Sequence, residues 1–288
     1  MRENERQSAP QWYPGHMARA RRMLKENLKL IDLVIEVLDA RIPASSQNPD
    51  FETLFADKMR LLVLAKSDLA SAGVTRAWTA SFSEKGIAAV PFSSRRPKDA
   101  AAVLAAVDRV MRPTLERFAA RGVKKTVRAL VAGIPNAGKS TLINRLSRGN
   151  PAAVGNKPGV TRGKQWVKAG PYFELLDTPG LLWPRLGDRE VAMHIAYVGS
   201  IRDEVTDPET LAAGLLSELY EAAPQEMNAS YGDKGDMDGE TFLYELCHRR
   251  NWMVKPGAPD TERMARAVID DFRAGKLGRI SLERPVGR

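Results

Sequence analysis

Cysteine is all but missing from this chain. Cys247 is the single thiol in 288 residues, which excludes both an intramolecular disulfide and a zinc site built on cysteines. Histidine is nearly as scarce: His16, His194 and His248 stand far apart, an arrangement that argues against a histidine metal site. No apolar run approaches the roughly 20 residues of a membrane span. The first residues place Glu3 and Glu5 beside Arg2 and Arg6, without the apolar core of a secretion signal or the acid-poor character of a transit peptide. A cytoplasmic protein is expected. Acidic residues are outnumbered, 35 against 44 basic, for a net charge of +9. That excess suits a polyanionic partner such as RNA but does not identify one. No internal repeat or long low-complexity tract appears. With 43% hydrophobic residues, the length suffices for one substantial core and a second, smaller one.

What is present centres on Gly133-Ile134-Pro135-Asn136-Ala137-Gly138-Lys139-Ser140, which fits the phosphate-binding pattern G-x-x-x-x-G-K-[ST]. The stretch Thr126–Ala132 before it is apolar and β-branched, as a buried strand requires, and Lys139–Leu146 after it reads as a helix. Strand, glycine loop and helix in that order surround a phosphate with backbone N–H groups and the positive end of a helix dipole. The loop from Asn136 through Ala137, Gly138, Lys139 and Ser140 to Thr141 would wrap the phosphates. Lys139 is expected to reach the β/γ-phosphates and the Ser140 hydroxyl to bind Mg²⁺.

In chain order, the loose first residues lead to Trp12-Tyr13-Pro14-Gly15-His16-Met17 and then to a basic amphipathic helix, Ala18–Leu30, whose charged face suits either solvent or RNA. Strands are expected over 31–38, 60–64 and 88–92, separated by helical stretches, which implies parallel pairing with crossovers. An alanine-rich helix spans 98–119. After the phosphate loop come a glycine-rich stretch, 155–163, and two short strands, 164–168 and 172–176. Beyond residue 188 the helical patterns 188–199, 207–222, 239–250 and 260–273 follow without a persuasive strand. The expected division is an N-terminal segment 1–30, an α/β domain 31–187 and a smaller all-α domain 188–288.

Asp177, closing an apolar strand in Asp177-Thr178-Pro179-Gly180, is placed like the acid that holds Mg²⁺ in nucleotide hydrolases, and the Gly180 N–H can meet a γ-phosphate. Thr161 can add an oxygen to Mg²⁺ and so report a bound γ-phosphate. In Ala65-Lys66-Ser67-Asp68, the Asp68 carboxylate can accept from the two N–H groups on guanine's edge, which adenine lacks, while the Lys66 stem can lie along the ring. Ser93 and Ser94, at the end of another strand, form a second base-side loop. A bare K-x-D is common, so a P-loop ATPase or kinase of another class stays open here. So does an RNA-binding module with a degenerate nucleotide site.

These parts in this order resemble the circularly permuted GTPases, in which base-reading loops precede the phosphate loop. Residues 12–17, Asp39-Ala40-Arg41-Ile42-Pro43 and Gly275-Lys276-Leu277-Gly278-Arg279-Ile280 are similar to those of the bacterial ribosome biogenesis GTPase A (YlqF-like) group, over residues 11 to 283. The resemblance implies a circularly permuted Ras-like P-loop GTPase domain followed by a helical domain. It also implies GTP hydrolysis coupled to late maturation of the large (50S) ribosomal subunit, with its rRNA as partner, by a monomer. It further suggests RNA binding by Arg249, Arg250, Lys255, Lys276 and Arg279.

Two departures stand out. That group usually has Asn where this chain has Ala65, its amide tying the base loop to the phosphate loop. The loss is expected to weaken GTP binding without abolishing guanine choice. Ras-like enzymes carry a water-orienting Gln just after D-x-x-G, whereas Leu181 stands here. The resemblance suggests His16 as the substitute, since imidazole can hold a nucleophilic water near neutral pH. Asn136 resembles the asparagine of potassium-activated GTPases, whose amide oxygen helps hold K⁺.

Overall fold

The computed structural model describes residues 28–147, 166–178, 188–201 and 206–285. Its organising strand is β1 (Leu33–Asp39), buried along its whole length. It pairs in parallel with β2 (Met59–Ala65) on one side and β4 (Val127–Ala132) on the other. A parallel strand covered on both faces must be apolar at successive positions rather than alternate ones, and Leu-Val-Ile-Glu-Val-Leu meets that demand except at Glu36. That carboxylate is fully buried and accepts from Arg60 Nη2 at 2.7 Å.

The sheet order is β3-β2-β1-β4-β6-β5, with β3 at Ala88–Pro91, β6 at Phe173–Asp177 and β5 at Trp166–Gly170. The parallel pairing expected of the first three strands holds, β4 and β6 continue it, and β5 is an edge strand that runs antiparallel to β6. Helices α1 (Pro49–Leu54), α2 (Ala72–Glu84) and α3 (Pro97–Ala119) bridge successive parallel strands, and α4 (Lys139–Leu146) follows β4. One sheet face, with Ile35, Val37 and Val63, packs on Val107 and Met111 of α3 and Leu142 of α4. The other presents Val34 and Leu130 to Phe51 and Phe55, and Leu62 and Leu64 to Trp78 and Phe82 of α2. Each such side chain contributes about 1.5–3 kcal/mol by leaving water.

From β1 the chain steps outward through β2 and β3, then returns to place β4 on β1's other flank. In open α/β sheets, ligands bind beyond the carboxyl ends of strands where the order reverses in this way. Here that crevice lies between β1 and β4, and β4 feeds the phosphate loop.

Helices α5 (Arg189–Tyr197), α6 (Pro208–Ala222), α7 (Pro224–Tyr231), α8 (Gly239–Arg249) and α9 (Thr261–Ala274) form the remainder with their own core, which includes Leu215, Leu219, Phe242, Leu246, Val268 and Phe272. Asp188, Asp207, Asp238 and Asp260 cap four of them by accepting backbone N–H bonds from the first turn; such caps contribute about 1 kcal/mol each. The helical character expected of this part stands, with two additions. One is α7. The other is a short antiparallel ribbon, β7 (Met253–Lys255) with β8 (Ala258–Pro259), too brief for strand alternation to show in sequence. Among the described residues, no helix is long and apolar enough to cross a membrane.

After α9 the chain turns back onto the sheet. Glu283 accepts from the N–H groups of Ala44 and Ser45, its carbonyl accepts from Trp78 Nε1 at 3.1 Å, and its carboxylate meets His194 Nδ1 at 2.8 Å. His194 Nε2 reaches Glu218 at 2.7 Å. Burial alone would lower the His194 pKa, but the two carboxylates push it up to about 9. The helical part is therefore fastened to the sheet by charge-assisted bonds.

Candidate functional site

Three loops meet at the carboxyl edge of the sheet. The first leaves β4 at Gly133, where φ is +147° and an added Cβ would stand 2.4 Å from the Val37 carbonyl oxygen of β1, so only glycine fits. Asn136 (φ +56°) and Gly138 (φ +108°) turn the chain left-handed before α4 begins, the local shape that points successive N–H groups at an anion. Lys139 is 7% exposed, and its ammonium donates to the Ile134 carbonyl at 2.7 Å. Burial lowers its pKa to about 8, although Asp177 opposes the change.

That value has a measurable consequence. A triphosphate needs the ammonium form and will hold the proton on, so binding takes up a proton where the free lysine has lost it. GTP affinity is expected to be about tenfold weaker at pH 9 than at pH 7, with proton uptake visible by titration calorimetry in buffers of different ionisation enthalpy. Equal affinity across this range would show that the free lysine is already fully charged.

The second loop follows β6. Burial raises the Asp177 pKa, against the pull of Lys139 and of the neighbouring Thr178 N–H and Ser140 hydroxyl. Asp177 Oδ1 is buried and has no hydrogen-bond partner among the described residues. A buried carboxylate oxygen is costly to leave unpaired, and an unpaired carboxylate oxygen beside a serine hydroxyl suits a hard cation with oxygen ligands such as Mg²⁺. Thr178 Oγ1 donates to the Val131 carbonyl at 2.6 Å, fixing β6's end against β4.

The third loop ends β2. A cleft of about 200 Å³ is lined by Ala65, Lys66, Asp68, Ser94, Gly138 and Thr141 among others, so the structure brings the expected base-side residues to the phosphate loop. Asp68 lies 3.6 Å from the exposed Arg95. Ser93 is different: it is fully buried, its N–H donates to Asp99 and its hydroxyl accepts from the Arg95 N–H, so it braces the loop behind the cleft. Arg96, which donates to Ser67 Oγ, is a second brace that sequence reasoning missed. A larger groove of about 1240 Å³, lined by Leu104, Met111, Lys124, Lys168 and Tyr172 among others, lies between α3 and the β5–β6 hairpin, away from all three loops. Volume does not locate the chemistry here.

Ala65 is buried, and its Cβ would lie 3.6 Å from a Cβ placed on Gly138. An asparagine amide at 65 would therefore reach phosphate-loop backbone directly. Ala65→Asn is expected to tighten GTP binding about three- to tenfold, one added hydrogen bond; equal dissociation constants would show that the amide is dispensable in this chain.

The helical part touches two of the three loops. Asn136 Nδ2 donates to the Gly199 carbonyl at 2.5 Å, and Ser200 Oγ to the Pro135 carbonyl at 2.6 Å. Arg279 donates to the Ala70 and Ser67 carbonyls at 3.0 Å each, and the Ile280 N–H to the Leu69 carbonyl at 3.1 Å. Arg279 thus clamps the base loop, where the sequence suggested RNA. Lys276 pairs with Asp271 and Arg249 with Glu245. Arg250 lies over Tyr231 and Trp252, with Arg263 over Trp252's ring as well. His16, Thr161, Gly180 and Leu181 lie outside the described residues.

A mostly parallel sheet with the K-x-D loop and the Ser93–Ser94 loop on strands ahead of the phosphate-loop strand, and an Asp at the end of the strand paired beyond it, has the order of a circularly permuted P-loop GTPase. A family model described as "50S ribosome-binding GTPase" matches residues 128–210. The chain is 40% identical to "Ribosome biogenesis GTPase A" of Bacillus licheniformis, covering 96% of this chain and 98% of that protein. It is 33% identical to "Mitochondrial ribosome-associated GTPase 1" of Mus musculus, over 96% and 90%. Among solved structures it is similar to GNP-bound YlqF from T. maritima, at 27% identity and a TM-score of 0.66, covering 94% of this chain and all of that one. The chain belongs to the ribosome biogenesis GTPase A family, and its reaction is the hydrolysis of GTP. An ATPase, a kinase and a degenerate binding module are set aside.

Proposed function

We propose that this protein is an assembly factor that uses GTP binding and hydrolysis to regulate its hold on a maturing large ribosomal subunit. The observation that carries this reading is the bonding of the helical part to the phosphate loop at Pro135 and Asn136 and to the base loop at Ser67, Leu69 and Ala70. A nucleotide that resets either loop acts on the helical part directly, and Arg250 and Arg263 over Trp252, with the exposed Lys255, offer that part an RNA-facing surface. The relatives' names point the same way.

In this reading the protein is a cytoplasmic monomer whose guanine is read by Asp68 and Lys66. Its phosphates are held by the loop from Asn136 to Thr141, with Lys139 against the β/γ-phosphates and the Gly180 N–H at the γ-phosphate. Ser140, Asp177 and Thr161 would hold Mg²⁺, which when bound neutralises charge on the phosphate oxygens. Lys139 stabilises the charge that builds on the β/γ-bridge as the bond breaks. His16 takes the water-orienting place that Leu181 cannot fill, and Asn136 contributes to a K⁺ site.

One experiment tests the set: turnover by the parent and by His16→Ala, with and without immature large subunits, in KCl and NaCl at equal ionic strength. Particles are expected to stimulate the parent. His16→Ala is expected to lose that stimulation by a factor on the order of 100 while binding GTP normally, and NaCl to slow the parent. Absent stimulation would remove the ribosomal partner, full activity in His16→Ala the catalytic histidine, and indifference to the cation the K⁺ site.

A further inference from the structure

The ammonium of Lys66 does not reach into solvent as a surface lysine would. It lies 2.9 Å from Asp39 Oδ2, at the end of β1, and Asp39 is completely buried. The same carboxylate is gripped by Arg41 through Nη2 at 2.8 Å, Nε at 2.9 Å and its backbone N–H at 3.1 Å. Arg41, 1% exposed, donates onward to the Phe272 carbonyl of α9 at 3.2 Å and lies over that residue's ring. Arg41 and Asp39 are thus buried, with the Lys66 side chain 26% exposed at their edge, where an aliphatic cluster would be as stable, because the desolvation of a buried ion pair tends to cancel its attraction. Lys66 is also held at φ +55°, a backbone state that costs a non-glycine residue free energy. An arrangement this expensive calls for a reason other than stability.

We infer that Asp39 is a positioning residue for nucleotide binding, holding the Lys66 ammonium so that the lysine stem is laid in advance along the base cleft, with Arg41 fixing the carboxylate from the side of α9. This rests on the assignment of residues 65–68 as the base loop. The physical gain is conformational: a free lysine side chain carries about 2 kcal/mol of rotamer entropy, and tethering its end spends that before the nucleotide arrives. Burial would raise the Asp39 pKa, but Arg41 and Lys66 more than offset it and keep the carboxyl well below the usual carboxylate range. Asp39 therefore holds its charge at any working pH, and the tether is constant. Guanine choice stays with Asp68, so Asp39 acts on affinity and leaves selectivity alone.

Affinity for GDP and for inosine diphosphate, which lacks the 2-amino group that Asp68 would accept, separates the possibilities. Asp39→Asn keeps the shape and removes the charge; it is expected to weaken both nucleotides by the same factor, about tenfold for a charge-assisted bond, with their ratio unchanged. Lys66→Met should show a similar loss, and Asp39→Asn should add little in the Lys66→Met background. If Asp39→Asn does not fold, as judged by thermal melting, Arg41→Lys gives the same pattern at about threefold, because a lysine cannot fork across both carboxylate oxygens. Losses that simply add in the double variant, a GDP/IDP ratio that collapses in Asp39→Asn, or a folded Asp39→Asn with parental affinity would each overturn the role of Asp39. Parental affinity in Lys66→Met would instead overturn the base-loop assignment itself.

Discussion

Replacing Lys139 by alanine is expected to lower kcat/KM for GTP at least about 100-fold while moving the melting temperature by only a few degrees. The two effects separate because of how the lysine is buried. Its ammonium has one described hydrogen bond, to the Ile134 carbonyl, and burial disfavours its charge. Truncation leaves that carbonyl only the long bond from the Ala137 N–H, 3.5 Å, at a cost of about 1–3 kcal/mol or less, but also relieves the cost of a desolvated cation. Nothing offsets the loss to the phosphates, which meet no other lysine in the loop. Steady-state turnover and a thermal melt on the same sample decide the matter. Turnover within tenfold of the parent would place the chemistry elsewhere.

Gly133→Ala is expected to do the reverse, striking the fold first. The added methyl group would meet the Val37 oxygen at 2.4 Å and the Val37 carbon at 3.3 Å. Both are backbone atoms of the most buried strand in the sheet, so no side chain can swing aside. With the positive φ added, the cost is about 2–4 kcal/mol, a fall of roughly 5–15 °C in melting temperature for a domain of this size. Nucleotide affinity should fall with it, since β4 must shift to make room. Gly86→Ala is the control: φ is +75° there, yet nothing lies within 4 Å of the new methyl group, and only about 1 kcal/mol is expected. Equal losses at the two sites would mean that strain at φ, rather than the contact with β1, sets the cost.

The phosphate loop, the acid that ends β6 and the K-x-D loop after β2 were legible as positions at strand ends, because each is a local pattern whose chemistry dictates residue types at fixed spacing. The order of these parts implied the permuted topology through its resemblance to the circularly permuted GTPases. Helix α2 carries a signal too, Val74, Trp78 and Phe82 recurring every fourth residue and packing in one cluster. What escaped were contacts that end on backbone. Asn136 bonds a carbonyl 63 residues away and Arg279 one 212 residues away. A carbonyl looks the same whatever the residue, so its partner leaves no trace in sequence. For that reason Arg279 read as one more surface cation, and Ser200 as nothing at all. Ser93 misled in the opposite sense: a serine at a strand end suits a ligand, and only burial shows that it serves its own loop.

The clasp of Gly199 and Ser200 on the phosphate loop, and of Arg279 and Ile280 on the base loop, closes a thermodynamic cycle. If occupation of the nucleotide cleft changes the affinity of the helical part for a particle by some factor, the particle must change nucleotide affinity by that same factor. The free protein and the particle-bound protein are then two nucleotide-binding species with different dissociation constants. Cellular guanine nucleotide levels would sort molecules between them before a single phosphate bond is broken.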